Sequence, residues 1–122
     1  MNSTNQKNYH ASHKPVIWSL FAAGGTVTAL LLPALIMLMA LAVPLGLMSA
    51  DLFSYARIQD LLSNPLVKLA VFGIIFLSLW HAAHRMRCTM HDFGVRADGV
   101  VAILFYGVAS VMSLILAVAL FF

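Results

Sequence analysis

The chain has 122 residues, of which 62% are hydrophobic and only 9% are charged, and its formal net charge is +3. Soluble domains carry about 25% charged residues, and the seven basic and four acidic side chains here cannot cover the surface of a soluble fold. The composition therefore excludes an ordinary soluble domain and indicates one membrane domain. The single cysteine, Cys88, excludes an intramolecular disulfide and a cysteine-rich metal site.

Three apolar stretches follow a polar N-terminal tail, residues 1–14. The hydrocarbon core of a bilayer is about 30 Å thick and a helix rises about 1.5 Å per residue, so about 20 apolar residues can cross it. The stretches predict transmembrane helices at about 16–48, 64–90 and 98–121, in one anchor domain over residues 15–122. We expect an all-α helical bundle, because open backbone groups find no partner in hydrocarbon. The first apolar run is too long for the core of a cleaved signal peptide.

The first stretch contains two prolines and a glycine pair. Pro33 lies well inside it and is expected to kink the helix, whereas Pro44 is expected to mark its end. The pair at residues 24 and 25 predicts close approach of another helix. The following segment, residues 49–65, has partial helical amphipathicity and is expected on the membrane surface, with Asn64-Pro65 beginning the next helix. We assign that segment no chemical role.

The basic residues predict the orientation of the bundle. Five lie in the tail or the loop joining the second and third helices, and two lie on the opposite side. The first group is Lys7, Lys14, Arg85, Arg87 and Arg96, and the second is Arg57 and Lys68. Because cytoplasmic loops carry an excess of Lys and Arg, we expect the N-terminus in the cytoplasm.

The stretch "WHAAHRMRCTMHD" gathers polar side chains at the end of the second helix. His81, His84, Cys88 and His91 fall within a stripe of about 80° on a helix that turns about 100° per residue. Three interpretations compete: contacts with headgroups and helix-end carbonyls, a metal site, and a quinone or redox-cofactor site. A metal site is disfavoured, because one helix seldom presents four ligands to one ion. The role of the stripe as a whole stays open.

A quinone site is the most specific of these interpretations. Intramembrane ionisable residues are functional candidates, and His84 and Arg85 lie closest to the apolar body. The predicted orientation places Trp18 and Phe21 of the first helix at the same depth. Indole, imidazole and guanidinium groups can donate hydrogen bonds to quinone oxygens, and aromatic rings can form the walls.

Five short pieces of the chain carry a family resemblance. They are "KPVIWSLFAAGG", "PLGL", "LFSYARI", "LWHAAHRMRCTMHDF" and "FYG", in one order from about Pro15 to the C-terminus. With these pieces the chain resembles the D-type membrane anchor of the bacterial fumarate reductase complex. That resemblance implies a multi-pass anchor of the bacterial cytoplasmic (inner) membrane, not an enzyme by itself, in a quinol:fumarate oxidoreductase of anaerobic respiration. The implied partners are the fumarate reductase flavoprotein, the iron–sulfur protein and the C-type membrane anchor.

The resemblance also implies a menaquinone site at the junction between these proteins. Carried over to this sequence, its residues are Trp18, Phe21, His84 and Arg85, with Ala22 where the family has glycine. FAD and iron–sulfur clusters are implied only in the partner proteins, and neither metal nor haem is expected in this chain. One alternative is a haem b anchor of a succinate dehydrogenase-type complex, with His81 or His84 as an axial ligand. Another is a small membrane protein without a redox role, such as a transporter component or assembly factor.

Overall fold

The computed structural model describes residues 14–122 as a set of helices with no strand in that range. Three of them are long and apolar enough to cross a membrane, as the sequence predicts. The polar tail before Lys14 lies outside the described residues. The helical elements in chain order are α1 (Lys14–Ile36), a π-helical segment (Met37–Ala42), a 3-10 turn (Ala50–Phe53), α2 (Tyr55–Ser63), α3 (Pro65–Asp92) and α4 (Asp98–Phe121).

The first membrane helix is shorter at its C-terminal end than the predicted 16–48. Continuous helical structure stops at Ala42, where the π-helical segment ends, because Pro44 has no N–H and its ring clashes with a helical carbonyl. Pro33 lies inside α1, and the hydrogen bonding widens four residues later. The Val43 N–H donates to the Leu38 carbonyl at 3.0 Å, five residues back instead of four. The predicted end at Pro44 is confirmed, and the extension to residue 48 is wrong.

The connection between the first two membrane helices folds into local structure. Arg57 Nε on α2 lies 3.1 Å from Asp51 Oδ2 in the 3-10 turn, an exposed ion pair. Asn64 begins α3, since its side-chain oxygen accepts the Leu66 N–H at 2.9 Å and Pro65 follows at the first helical position. The predicted start of this helix is therefore confirmed. Pro65 has no N–H, and the first helical position requires none, because an N–H there has no acceptor within the helix.

The longest α-helix, α3, packs against both α1 and α4. The buried side chains in the described part of the chain are all small: Ala83 on α3, and Ala109 and Ser113 on α4. Many large apolar side chains face outward, such as Ile103 at 77% exposure. Lipid tails are as apolar as leucine, so membrane helices associate through small residues that allow close packing. The outward faces are free to meet lipid or other proteins of a complex.

Candidate functional site

Two glycines bring α1 into backbone contact with α3. A Cβ atom on Gly24 would lie 2.9 Å from the carbonyl carbon of Leu77, and one on Gly25 would lie 2.6 Å from Cε1 of His81. Real Cβ atoms almost never approach that closely, so Gly24, which would meet backbone, requires glycine, whereas a Cβ at Gly25 would require the His81 ring to shift. The packing role predicted for this pair is confirmed. The close approach lets His81 Nδ1 reach the Phe21 carbonyl oxygen at 2.8 Å.

Three helices meet at His84. Its imidazole stacks on the Phe21 ring of α1, with ring centroids 4.4 Å apart and an interplanar angle of 13°. Its Nδ1 lies 3.0 Å from the Tyr106 hydroxyl of α4. Its Nε2 lies 3.7 Å from Sγ of Cys88, a weak contact one turn along α3. One histidine side chain therefore contacts both neighbouring helices.

An open cleft of about 420 Å³ lies between the end of α3 and the start of α4. An ion pair forms part of its wall: Arg87 Nε donates to Asp98 Oδ1 at 2.9 Å, and Arg87 Nη2 donates to Asp98 Oδ2. The Arg87 guanidinium also lies 5.9 Å from the centre of the Tyr106 ring. The lining residues are His84, Arg87, Cys88, His91, Asp92 and Asp98. The ion pair thus links the two helices directly beside His84.

The histidine and cysteine stripe divides between two surroundings. His81 turns toward α1, whereas His84, Cys88 and His91 all line the cleft. No three or more His, Cys, Asp or Glu side chains between residues 14 and 122 are grouped so that they could hold a metal ion. The stripe is therefore a helix face shared between an interhelical contact and an open cleft.

The structure brings together two of the five residues predicted to bind quinone. Phe21 and His84 stack on each other, while Trp18, Ala22 and Arg85 lie exposed beside them, Trp18 at 75%. No described residue forms a hydrogen bond or ion pair with the Trp18 indole or the Arg85 guanidinium. Both donors are therefore available to a ligand or another chain.

Sequence reasoning missed Tyr106 as a contact of this site. The "FYG" of the third helix contributed only to the family resemblance, without a role. A tyrosine within the uncharged apolar stretch that follows Asp98 was the available signal, because its hydroxyl needs a partner. Only the packing of α4 against α3 shows that the partner is His84.

These features define an all-α integral membrane protein with three membrane-crossing helices and a polar, aromatic cluster at one end of its bundle. The chain belongs to the fumarate reductase D-subunit family, whose family model matches residues 8–121. The resemblance seen in the sequence is confirmed. The family is one of membrane anchors within an oxidoreductase complex.

Curated relatives support the same assignment over nearly the full chain. The fumarate reductase D subunit of Vibrio cholerae is 34% identical over 119 residues, covering 98% of this chain and 89% of the relative. That of Mycobacterium bovis is 39% identical over 111 residues, covering 88% and 86%. That of Vibrio campbellii is 34% identical over 110 residues, covering 90% and 88%.

Proposed function

We propose that this chain anchors a fumarate reductase complex in the bacterial inner membrane and supplies part of its menaquinol-oxidation site. In this proposal the chain and the C-type anchor hold the flavoprotein and the iron–sulfur protein on the cytoplasmic face. Family membership supports the anchor role. The basic residues at the His84 end of the bundle, Arg85, Arg87 and Arg96, suit docking of a soluble partner and contact with anionic lipid.

The stacking of Phe21 on His84 is the observation that carries the quinone-site proposal. It places an apolar ring wall and an ionisable group together at the end of the bundle, with Trp18 and Arg85 exposed next to them in sequence. A quinone head group needs flat apolar walls and hydrogen-bond donors for its two oxygens. The residues present therefore fit a quinone, with Ala22 as a small neighbour on α1.

The site in this chain is open and needs other proteins to enclose it. Ligand pockets bury about 70–90% of their ligand's surface. Trp18, a predicted wall of the site, is 75% exposed, so a quinone against it would stay largely uncovered by this chain. The C-type anchor and the iron–sulfur protein would supply the remaining walls. One cysteine cannot ligate an iron–sulfur cluster, which takes about four, so electrons from menaquinol would pass to clusters in the iron–sulfur protein, then on to flavin. A histidine near neutral pH can accept a proton released by quinol.

The test replaces His84 and Arg85 separately by alanine in the assembled complex. We expect menaquinol-driven fumarate reduction to fall roughly 100-fold for His84→Ala, since a general base contributes about that much or more. Fumarate reduction driven by a reduced viologen dye should be unchanged, because that donor bypasses the membrane site. Arg57→Ala, at the opposite end of the bundle, is the matched control. Loss of both activities together with membrane attachment would make these residues structural and contradict the proposal.

One observation favours a haem b anchor as a second candidate. His81 Nδ1 is held by the Phe21 carbonyl, and metal-ligating histidines usually make such a bond through their other nitrogen. A reduced-minus-oxidised optical spectrum of the purified complex separates the two. Flavin and iron–sulfur signals without haem b bands support the menaquinol site. A stoichiometric haem b signal that disappears with His81 or His84 replaced would reassign the chain to the haem-bearing anchors.

A further inference from the structure

The Tyr106 hydroxyl is the only contact from α4 to the imidazole nitrogens of His84 within the described chain, at 3.0 Å from Nδ1. Phe21 covers a face of the same ring. These two contacts come from different helices and restrain the ring in different directions. The orientation of His84 is therefore set by tertiary packing and not by α3 alone.

Tyr106 is itself held in place. Its ring stacks on Trp80 of α3, with centroids 5.8 Å apart and an interplanar angle of 20°. The Arg87 guanidinium lies 5.9 Å from the Tyr106 ring centre, and Asp98 fixes Arg87 through two hydrogen bonds. Because the ring is restrained by Trp80 and Arg87, the hydroxyl presents a fixed partner to His84.

The arrangement leaves one nitrogen of His84 for a ligand. Nδ1 is engaged by Tyr106, whereas Nε2 has only the weak contact with Cys88 at 3.7 Å. An imidazole has two distinct nitrogens, and the bond made by one decides the role of the other. When Nδ1–H donates a hydrogen bond to the Tyr106 oxygen, Nε2 carries no proton and can accept a hydrogen bond from the hydroxyl of a quinol.

We propose that Tyr106 is a positioning residue for quinol oxidation and acts through His84, holding Nδ1 so that Nε2 faces the quinol hydroxyl. This inference rests on the proposed menaquinol site and adds α4 to a site that the sequence assigned to the first two membrane helices. Tyr106 need not touch the quinol in this role.

The first experiment is Tyr106→Phe in the assembled complex, which keeps the ring stacked on Trp80 and removes only the hydroxyl. With a short-chain menaquinol as donor, we expect kcat/KM to fall roughly 3- to 10-fold, the effect of one hydrogen bond of ordinary strength. The loss should appear mainly in kcat, because orientation of the base matters in the transition state. Each rate is divided by the viologen-driven rate of the same washed membranes, which counts the soluble proteins that remain attached to the anchors. Tyr55→Phe, on an exposed tyrosine of α2, is the matched control and should change nothing.

The second experiment adds Tyr106→Phe to a His84→Ala complex. If Tyr106 acts through His84, the double variant should be no slower with menaquinol than His84→Ala alone, since the two changes then remove one interaction. Losses that multiply, or an unchanged Tyr106→Phe single variant, would overturn the positioning role while leaving the menaquinol site intact. An undiminished rate in His84→Ala alone would instead overturn the menaquinol site itself, and the positioning role with it.

Discussion

The two sides of α3 are held to their neighbours in different ways. Toward α1, glycine allows backbone contact at Gly24 and Leu77, and polar groups cross the interface from His81 to the Phe21 carbonyl. Toward α4, aromatic rings fill the space: Phe72 meets Phe121 edge to face at 5.9 Å, and Trp80 stacks on Tyr106. The first interface depends on the absence of a side chain, and the second on large ones.

The two kinds of interface together fix the orientation of the His84 ring, because each brings one neighbouring helix into contact with it. The glycine contact brings α1 close enough for Phe21 to cover the His84 ring. The larger rings between α3 and α4 place the Tyr106 hydroxyl within hydrogen-bond distance of His84 Nδ1. Packed interfaces tolerate added volume poorly, whereas changes that conserve volume are usually mild. We therefore expect an added side chain at the α1–α3 interface to cause a large loss of stability. A change that conserves volume at the α3–α4 interface should cause a smaller loss.

The largest effect is expected for Gly24→Val. Its Cβ would meet the Leu77 backbone, which cannot move without shifting α3, so α1 should separate from α3 at a cost of about 3 kcal/mol. Thermal unfolding in detergent micelles, followed by circular dichroism, measures the loss. Gly73→Val on α3 is the matched control, since a Cβ there meets nothing within 4 Å. Equal stability of the two variants would show that the close approach is dispensable.

A smaller loss is expected for Phe72→Leu on the aromatic side. Phe72 contacts the Phe121 ring of α4 edge to face at 5.9 Å and the Phe76 ring of α3 at 5.7 Å, and leucine keeps most of the volume. Each aromatic pair is worth about 0.5–1.5 kcal/mol beyond its buried area, so we expect a loss of about 1–2 kcal/mol in the same unfolding assay. A loss as large as that of Gly24→Val would erase the contrast between the two interfaces.

Thr28→Val tests the polar part of the α1 interface. The Thr28 and Ser78 hydroxyls lie 2.8 Å apart across α1 and α3, and such bonds between membrane helices average about 0.6 kcal/mol. We expect a loss near that size, with Thr26→Val as control because the Thr26 hydroxyl bonds only within α1. If both valine variants lose the same stability, the interhelical bond contributes nothing of its own.

The smallest effect is expected for Trp80→Phe. The Trp80 Nε1 atom is buried without a hydrogen-bond partner among the described residues, and a buried unsatisfied donor is unfavourable. Phenylalanine keeps a ring against Tyr106 and removes that donor, so the stability should stay within about 1 kcal/mol of the parent or rise. A loss above about 2 kcal/mol in the same unfolding assay would contradict this expectation and show that the larger indole ring contributes packing that phenylalanine does not replace.

Much of the helical architecture was predictable from local pattern. The three apolar stretches, the Asn64-Pro65 start of α3 and the break at Pro44 follow from side-chain polarity and from what proline does to a helix. The predicted end at residue 48 was wrong because the apolar run continues past the proline, and polarity alone does not show where helical hydrogen bonds stop. The glycine pair likewise indicated close packing, although not its partner.

The candidate site was predictable in part. Phe21 and His84 could be proposed as neighbours from their expected depth, and the structure stacks them. Tyr106 could not be found in this way, since helical spacing within α3 says nothing about which residue of α4 lies opposite. The sequence also grouped His81 with His84 on one stripe, whereas the structure turns His81 to α1.

The amino-acid sequence was enough to identify a three-helix membrane protein of the fumarate reductase D-subunit family, because apolar length and ordered short pieces are local properties of the chain. Which groups His84 meets could be learned only from the packed helices. Its ring face and its Nδ1 are occupied by residues 63 and 22 positions away in the chain. Contacts of that kind depend on how the helices cross, and glycine at Gly24 together with the aromatic packing of Trp80 and Tyr106 sets those crossings.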